Sequence, residues 1–391
     1  MVRLTVPVVS VLLAGTLLSG CDQTPAPSTA ATSALTVRQM QRLIPARVSE
    51  RPLWAGDILT IMGRLQIPPT LENACSIVAV VDQESNFIAN PAVPRLGEKA
   101  MREINERLTS KFGPLVAGQF EKMLAERPTP EQNFEQRLRA VSTERDLDLV
   151  YREIFEYFKS HYRLGVLTGA ARLVVGQDLS EYFNPVKTLG SMQVHINHAL
   201  ANPEAPNSPT ELRDLLYTRP GGLYYGIHRL MAYPAAYPKP IYRFADYNSG
   251  LYSSRNAAFQ QALNALSGEE LDLDGDLLLY GKDGDALSDT SSTELALRRY
   301  LLQRGVVLGD AALRRDLLKE KQADFEQTLL WRQIEQDYQQ RFGKKKPYAI
   351  MPEVRISGPK LSRDYNTQWY ANSVNRRFER CRSKGRRMGL D

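Results

Sequence analysis

Residues 74–87 read Ala-Cys-Ser-Ile-Val-Ala-Val-Val-Asp-Gln-Glu-Ser-Asn-Phe and place a carboxylate, Glu84, at the end of an apolar run. Thr70 precedes the run and is a residue type that caps the start of a helix. The apolar residues alone are also compatible with a strand, but the length of the segment, from Leu71 to Ser85, favours a helix. The sequence therefore predicts a helix that ends beside Glu84.

Most of the remaining chain also has helical periodicity, which predicts a mainly α protein. The longest helices are predicted at about 146–162, 324–342 and 366–382. The stretch 271–280 differs, because Asp-Gly between apolar runs is typical of a β-hairpin. Its alternating aspartates also suggest a calcium loop, but Leu277 stands where that loop needs a glycine, so the hairpin is favoured.

The N-terminus predicts an exported, lipid-anchored protein. A membrane-spanning helix needs about 20 apolar residues, whereas the apolar segment here is shorter, so residues 1–20 are interpreted as a signal peptide. Leu18-Ser-Gly-Cys21 resembles the bacterial lipobox, which implies a lipid on Cys21 and a position in the cell envelope facing the periplasm. Residues 21–36, rich in Pro, Thr, Ser and Ala, are predicted to be a flexible tether.

Two signals disagree about which membrane holds this anchor. Asp22 resembles the inner-membrane retention signal of enteric bacteria. Related envelope lipoproteins are mostly outer-membrane proteins. The outer membrane is therefore favoured, and the inner membrane stays open.

With Cys21 carrying lipid, Cys75 and Cys381 remain. In an oxidising compartment two remaining cysteines predict one disulfide, with two separate buried thiols as the alternative. Such a disulfide would fasten the C-terminal region to the segment that carries Glu84.

The net charge of +6 is concentrated at the C-terminus, where residues 376–391 hold seven basic and two acidic residues. The rest of the chain is nearly neutral, so the charge does not indicate a nucleic-acid partner. The basic end either contacts anionic lipid or cell-wall polymer, or is simply solvated.

Two later stretches extend the pattern begun by Glu84-Ser85, namely Gly190-Ser-Met-Gln193 and Ala245-Asp-Tyr-Asn248. In this order the three resemble the motifs Glu-Ser, Gly-Leu-Met-Gln and Ala-Tyr-Asn of the soluble-type lytic murein transglycosylases. That family has a helical fold like goose-type lysozyme, so the resemblance implies a lysozyme-like domain over 37–266. The whole pattern also resembles a family of proteobacterial envelope lipoproteins of unknown function.

The resemblance implies cleavage of the MurNAc-GlcNAc β-1,4 bond of a peptidoglycan glycan strand. Glu84 would act as the single general acid and base, since a glutamate at an apolar wall retains its proton for the leaving oxygen. In the family, the sugar's own 6-hydroxyl then attacks and leaves a 1,6-anhydromuramic end. The resemblance further implies a substrate-binding set, in which Ser85 orients the leaving sugar or the glutamate, Met192 and Gln193 line the cleft, Tyr247 hydrogen-bonds Glu84, and Asn248 shapes the subsite.

The sequence also departs from the family pattern. Ser191 replaces the usual Leu, and Ile88-Ala89 appear as an insertion after the first motif. Gln193 follows Glu84 by 109 positions, so about 98–180 is predicted as a helical insertion near the cleft. It would serve as a lid, a length gauge or a partner platform, or it would block the groove. Residues 267–391 are predicted as the hairpin and a helical C-terminal region.

Two alternatives therefore stay open. One is a lysozyme-type hydrolase. The other is a non-catalytic envelope lipoprotein that binds glycan, peptide or an envelope protein partner. No cofactor is expected, because the chain has neither a Gly-rich phosphate loop nor a Gly-x-Ser-x-Gly elbow. No metal is expected either, because no Glu-linked zinc motif surrounds His195 and His198.

Overall fold

The computed structural model describes residues 35–161, 181, 184–281, 284–356 and 365–390. The predicted signal peptide, Cys21 and most of the predicted tether lie outside these ranges. The tether was predicted to reach residue 36, but Thr36 already caps the first helix through reciprocal hydrogen bonds with Gln39. None of the described helices is both long enough and apolar enough to span a bilayer.

Sixteen α-helices dominate the described chain, which confirms the mainly α prediction. The first seven are α1 (Val37–Leu43), α2 (Arg51–Arg64), α3 (Leu71–Glu84), α4 (Leu96–Phe112), α5 (Pro114–Glu126), α6 (Phe134–Ala140) and α7 (Glu144–His161). An antiparallel pair follows, β1 (Thr188–Leu189) and β2 (Val194–His195). Then come α8 (Ile196–Leu200), α9 (Pro209–Leu216), α10 (Arg219–Met231), α11 (Ile241–Ser249) and α12 (Ser253–Ser267).

The C-terminal third contains α13 (Ser292–Gln303), α14 (Asp310–Leu317), a 3₁₀ turn (Ala323–Gln327) and α15 (Leu329–Phe342). A second antiparallel pair, β3 (Arg355–Ile356) and β4 (Tyr365–Asn366), leads into the last helix, α16 (Thr367–Arg387). The three long helices predicted from the sequence form as α7, α15 and α16, with their ends shifted by up to five residues.

Helix α3 lies at the centre of the molecule. The Thr70 hydroxyl accepts a hydrogen bond from the Asn73 N–H and so caps the helix as predicted. Leu71 and every residue from Ala74 to Asp82 are buried, and a helix that is apolar on all sides belongs inside a core. Glu84 is therefore the last residue of a central, enclosed helix.

The helices build two hydrophobic cores. The first joins α1–α11 with α16, and the second joins α12–α15. The predicted boundary at 266 placed α16 in a separate C-terminal region. In the structure α16 packs into the first core through an apolar stripe of Tyr370, Val374 and Phe378, so the cores divide the chain differently. Every core residue that the structure describes lies at Leu35 or beyond, so a chain that lacks residues 1–21 keeps every described contact.

The predicted insertion is helical over its described part, α4–α7, and residues 162–180 lie outside the description. A buried ion network fixes α7 to α9. Arg213 and Asp148 are both fully buried, with 3.1 Å between Nη1 and Oδ1. Asn184 donates to the same carboxylate at 2.6 Å, and Glu181 pairs with Arg213 Nη2 at 2.7 Å. The network ties the insertion to the helices around the second motif.

Arg213→Met is expected to lower the free energy of unfolding by about 3–5 kcal/mol, because it leaves Asp148 buried with part of its charge uncompensated. Urea denaturation measures this loss. Arg137→Met is a suitable control, since Arg137 and Glu153 form an exposed pair, which typically contributes under about 1 kcal/mol. Equal losses in the two variants would contradict a stabilising role for the buried network.

The hairpin predicted around Asp274-Gly275 does not form as paired strands in the described residues. Instead, Gln260 of α12 binds the turn, donating to Asp274 Oδ1 at 2.8 Å and accepting from the Gly275 N–H at 2.9 Å. The nearby β contact is an isolated bridge between Tyr280 and Ala286. The Asp-Gly pair correctly predicted a turn. The polar groups of that turn bond to the Gln260 side chain instead of to a second strand.

Candidate active site

Helices α3 and α16 lie antiparallel, and their contacts define the candidate site. Cys75 and Cys381 lie with their Cα atoms 5.5 Å apart in disulfide geometry, which confirms that these two cysteines come together. At the other end of the pair, Ser373 donates a hydrogen bond to the Gln83 side chain at 2.8 Å. The C-terminal helix is thus fastened along the helix that carries Glu84.

The Tyr370 hydroxyl of α16 donates a hydrogen bond to Glu84 Oε1. Tyr370 is only 6% exposed, whereas Glu84 is half-buried. Burial, and then the charge of Glu84, raise the pKa of Tyr370 well above its ordinary value. The phenol therefore keeps its proton and remains a donor toward the carboxylate.

Tyr247 of α11 lies within electrostatic reach of the same carboxylate. Burial, and then the charge of Glu84, raise the pKa of Tyr247 well above its ordinary value. Its hydroxyl donates to the Met192 carbonyl at 2.7 Å. A phenol has one proton to donate, so Tyr247 directs its proton to Met192 while Tyr370 directs its own to Glu84. The role that the resemblance implies for Tyr247 is occupied here by a residue from the C-terminal helix.

The second motif forms a tight loop against α10. Gly190 has φ +76°, and a Cβ there would collide with the Leu216 carbonyl. The Met192 side chain is fully buried, and Gly226 leaves it room, because a Cβ at Gly226 would meet it. The Met192 side chain therefore belongs to the core, and its role in lining a cleft remains a prediction.

Gln193 connects the second motif to the insertion. Its Nε2 donates to Glu144 Oε2 at 3.0 Å, and its Oε1 accepts from the Thr188 hydroxyl at 3.0 Å. Asn90, just beyond the first motif, donates to the Thr143 hydroxyl at 3.0 Å. The start of α7 thus contacts residues beside both motifs.

Ser85 and Asn248 make structural contacts. Ser85 is buried, and its hydroxyl lies 3.3 Å from the Val81 carbonyl at the end of α3. Asn248 is exposed and accepts from the Thr367 hydroxyl at 3.3 Å, which ties it to the start of α16. Their predicted sugar contacts remain predictions.

Asp246, which sequence reasoning did not select, holds the third motif in place. It is fully buried, and it accepts from the Tyr237 hydroxyl at 2.5 Å and from the Ser254 N–H at 2.8 Å. Burial raises the pKa of Asp246, while these hydrogen bonds act in the opposite direction. The carboxylate caps α12 and thereby fixes the position of the adjacent Tyr247.

Within the described residues, no group of three or more His, Cys, Asp or Glu is arranged to hold a metal ion. His195 and His198 lie with ring centroids 5.5 Å apart. The Nδ1 atom of His195 accepts a hydrogen bond from the Asn197 N–H at 3.3 Å and caps α8.

Comparison with known proteins gives the chain a family. It is similar to the uncharacterized protein YaiW of Escherichia coli (strain K12), with 36% identity over 376 residues, which cover 95% of this chain and 96% of YaiW. No solved structure matches the chain. The model of the family described as "Protein of unknown function (DUF1615)" matches residues 47–384, a range that includes all three motifs and most of α16, and the chain therefore belongs to the DUF1615 family.

Proposed function

We propose that this protein is a peptidoglycan lytic transglycosylase that uses Glu84 as its single general acid and base. The observation that carries the proposal is the hydrogen bond from Tyr370 to Glu84 at the end of a buried helix. Tyr247 of the third motif lies within electrostatic reach of Glu84 and donates to the Met192 carbonyl of the second motif, which supports a common site for the three motifs.

In the proposed reaction, protonated Glu84 gives its proton to the glycosidic oxygen of the leaving GlcNAc as the bond to the anomeric carbon breaks. The resulting carboxylate then takes the proton of the muramic acid 6-hydroxyl, whose oxygen bonds to the anomeric carbon. Glu84 ends as it began, and the product is a 1,6-anhydro ring. Tyr370 assists by donating to Glu84 while it is a carboxylate, because hydrogen bonds to a charged acceptor are the stronger ones.

Product analysis tests the proposal. Purified murein sacculi are digested with the chain from Asp22 onward, and the released muropeptides are analysed by mass. Anhydro ends are expected. Reducing ends would instead indicate the lysozyme-type hydrolase, and the absence of any product would count against both enzymes.

Tyr370→Phe is expected to lower kcat for glycan cleavage by roughly 10- to 100-fold and to leave KM nearly unchanged, since it removes a charge-assisted bond worth about 1.5–3 kcal/mol. Tyr300→Phe is a matched control, because Tyr300 is also buried and donates to a carboxylate, Asp337, at 2.8 Å in the second core. An equal loss of kcat in both variants would show that Tyr370 acts only through stability.

A non-catalytic glycan-binding lipoprotein is the second candidate. It is favoured by the engagement of Gln193 with Glu144, which is buried at the start of α7. In this arrangement the Gln193 side-chain amide, which the transglycosylase resemblance assigns to substrate binding, is already hydrogen-bonded to Glu144 of the insertion. Sacculi that bind both wild-type protein and Glu84→Gln, with no product from either, would support this candidate.

We also propose that a lipid on Cys21 anchors the protein in the envelope. The outer membrane is favoured, and Asp22 keeps the inner membrane open. Density-gradient fractionation of cell membranes tests both parts of this proposal.

A further inference from the structure

The basic end of the chain is not an extended tail but the second half of α16. Arg376, Arg380, Lys384 and Arg387 recur at spacings of four, four and three residues, which places them on one side of the helix. Burial, and then the charges of Arg51, Arg42 and Arg387, lower the pKa of Lys384. Arg47, between α1 and α2, also shares the Asp82 carboxylate with Arg377 of α16, so arginines from this part of the chain lie beside α16. We call the combined surface the basic face; its members are Arg42, Arg47, Arg51, Arg376, Arg377, Arg380, Lys384 and Arg387.

The basic face has almost no internal neutralisation. Asp82 pairs with Arg47 and Arg377, whereas the other six members form no ion pair in the part of the chain that the structure describes. Eight cations and one carboxylate give +7, against +6 for the whole chain. The rest of the protein therefore has a net charge near −1, so the face carries a local excess of positive charge as large as that of the whole chain.

The two helices that contribute Arg42 and Arg51 also expose apolar side chains. Val37 of α1 is 46% exposed and Leu53 of α2 is 49% exposed, although both helices pack into the first core. Cations together with exposed apolar side chains are typical of surfaces that rest on lipid headgroups.

The position of the basic face also favours a membrane. The chain enters α1, the helix that carries Arg42, at Leu35, only 14 residues after Cys21. The tether predicted from the sequence would have an average span of about 20 Å at that length. If Cys21 carries lipid, as proposed above, the bilayer surface is within reach of the face.

We propose that the basic face binds the anionic phospholipid surface of the membrane and sets the orientation of the protein on it. Each Lys or Arg near such a surface contributes about 1 kcal/mol. Lys384 lies 14 residues from Tyr370 in α16, or about 21 Å along the helix axis. Contact through Lys384 and Arg387 at the end of α16 would therefore hold Glu84 away from the bilayer, whereas Arg47 and Arg377 of the same face pair with Asp82, two residues before Glu84.

The test uses the chain from Asp22 onward, which carries no lipid and keeps both cores. Sedimentation with vesicles of phosphatidylcholine containing 30% phosphatidylglycerol should recover the protein at low salt, whereas pure phosphatidylcholine vesicles should not. The fourfold variant Arg42→Gln, Arg380→Gln, Lys384→Gln, Arg387→Gln should bind the anionic vesicles about 1000-fold more weakly. Binding of the wild-type protein should also fall as salt is raised.

A second fourfold variant removes the same charge elsewhere, at the exposed residues Arg102, Lys239, Arg315 and Arg332, each changed to Gln. It should bind anionic vesicles like the wild type, and unfolding curves check that both variants are folded.

Equal loss in both variants, or no binding of the wild type to anionic vesicles, would overturn the proposal. Binding to sacculi that the basic-face variant loses and the second variant keeps, with no binding of the wild type to vesicles, would assign the face to a cell-wall polymer. Cleavage of sacculi in solution should be the same in all three proteins, so a failure here is separable from a failure of the proposed activity.

Discussion

Glu84→Gln is expected to lower the rate of murein cleavage by about 10²- to 10⁴-fold, the contribution typical of a general acid–base group. Glutamine has nearly the shape of glutamate but neither gives nor takes a proton at neutral pH. The fold should be unaffected, since residue 84 is the half-buried last residue of α3. The measurement is the rate of release of anhydro muropeptides from sacculi.

Glu72→Gln is the matched control, because Glu72 is an exposed carboxylate in the first turn of the same helix. It should retain full activity. Adding Tyr370→Phe to Glu84→Gln should cause little further loss, since the tyrosine is proposed to act through the carboxylate. A Glu84→Gln protein that cleaves at the wild-type rate would remove the proposed mechanism altogether.

Replacing both Cys75 and Cys381 with alanine is expected to lower the free energy of unfolding by about 2–5 kcal/mol. The two cysteines are separated by 306 positions in the chain, so a disulfide between them restricts nearly the whole unfolded chain. The loss would be measured by urea denaturation of the variant and of the wild-type protein.

Dithiothreitol supplies the internal control for this prediction. It should reduce the stability of the wild-type protein to that of the double variant and should leave the variant unchanged. If neither the double substitution nor dithiothreitol lowers the free energy of unfolding, the two cysteines are separate buried thiols. Below its melting temperature the variant should still be active, because Tyr370, Val374 and Phe378 continue to pack α16 into the first core.

Local signals in the sequence predicted the features that depend on local physics. The cap at Thr70, the length of the apolar run and the position of Glu84 at its end all follow from neighbouring residues. The pairing of the two cysteines followed from their number and the expected compartment. The turn at Asp274-Gly275 was also predicted, but its binding to Gln260 depends on a helix that local rules cannot place.

The position of Tyr370 opposite Glu84 could also have been predicted from the sequence, once the two cysteines were paired. Cys75 precedes Glu84 by nine residues, and Tyr370 precedes Cys381 by eleven, which correspond to about 14 Å and 17 Å of helix. Two antiparallel helices joined at the cysteines would therefore bring Tyr370 opposite Glu84. The roles of Asp246 and Glu144 had no such signal, because each depends on hydrogen bonds to segments distant in the sequence.

The return of α16 to the first core has a consequence for the order in which the protein matures. The side of α3 that α16 covers stays exposed until the last residues of the chain have been synthesised and delivered. A chain that stops before residue 366 lacks both Cys381 and Tyr370, so it has neither the covalent link nor the hydroxyl that contacts Glu84. Incomplete molecules would therefore be inactive as well as unstable, and a cell wall would meet the proposed enzyme only in its finished form.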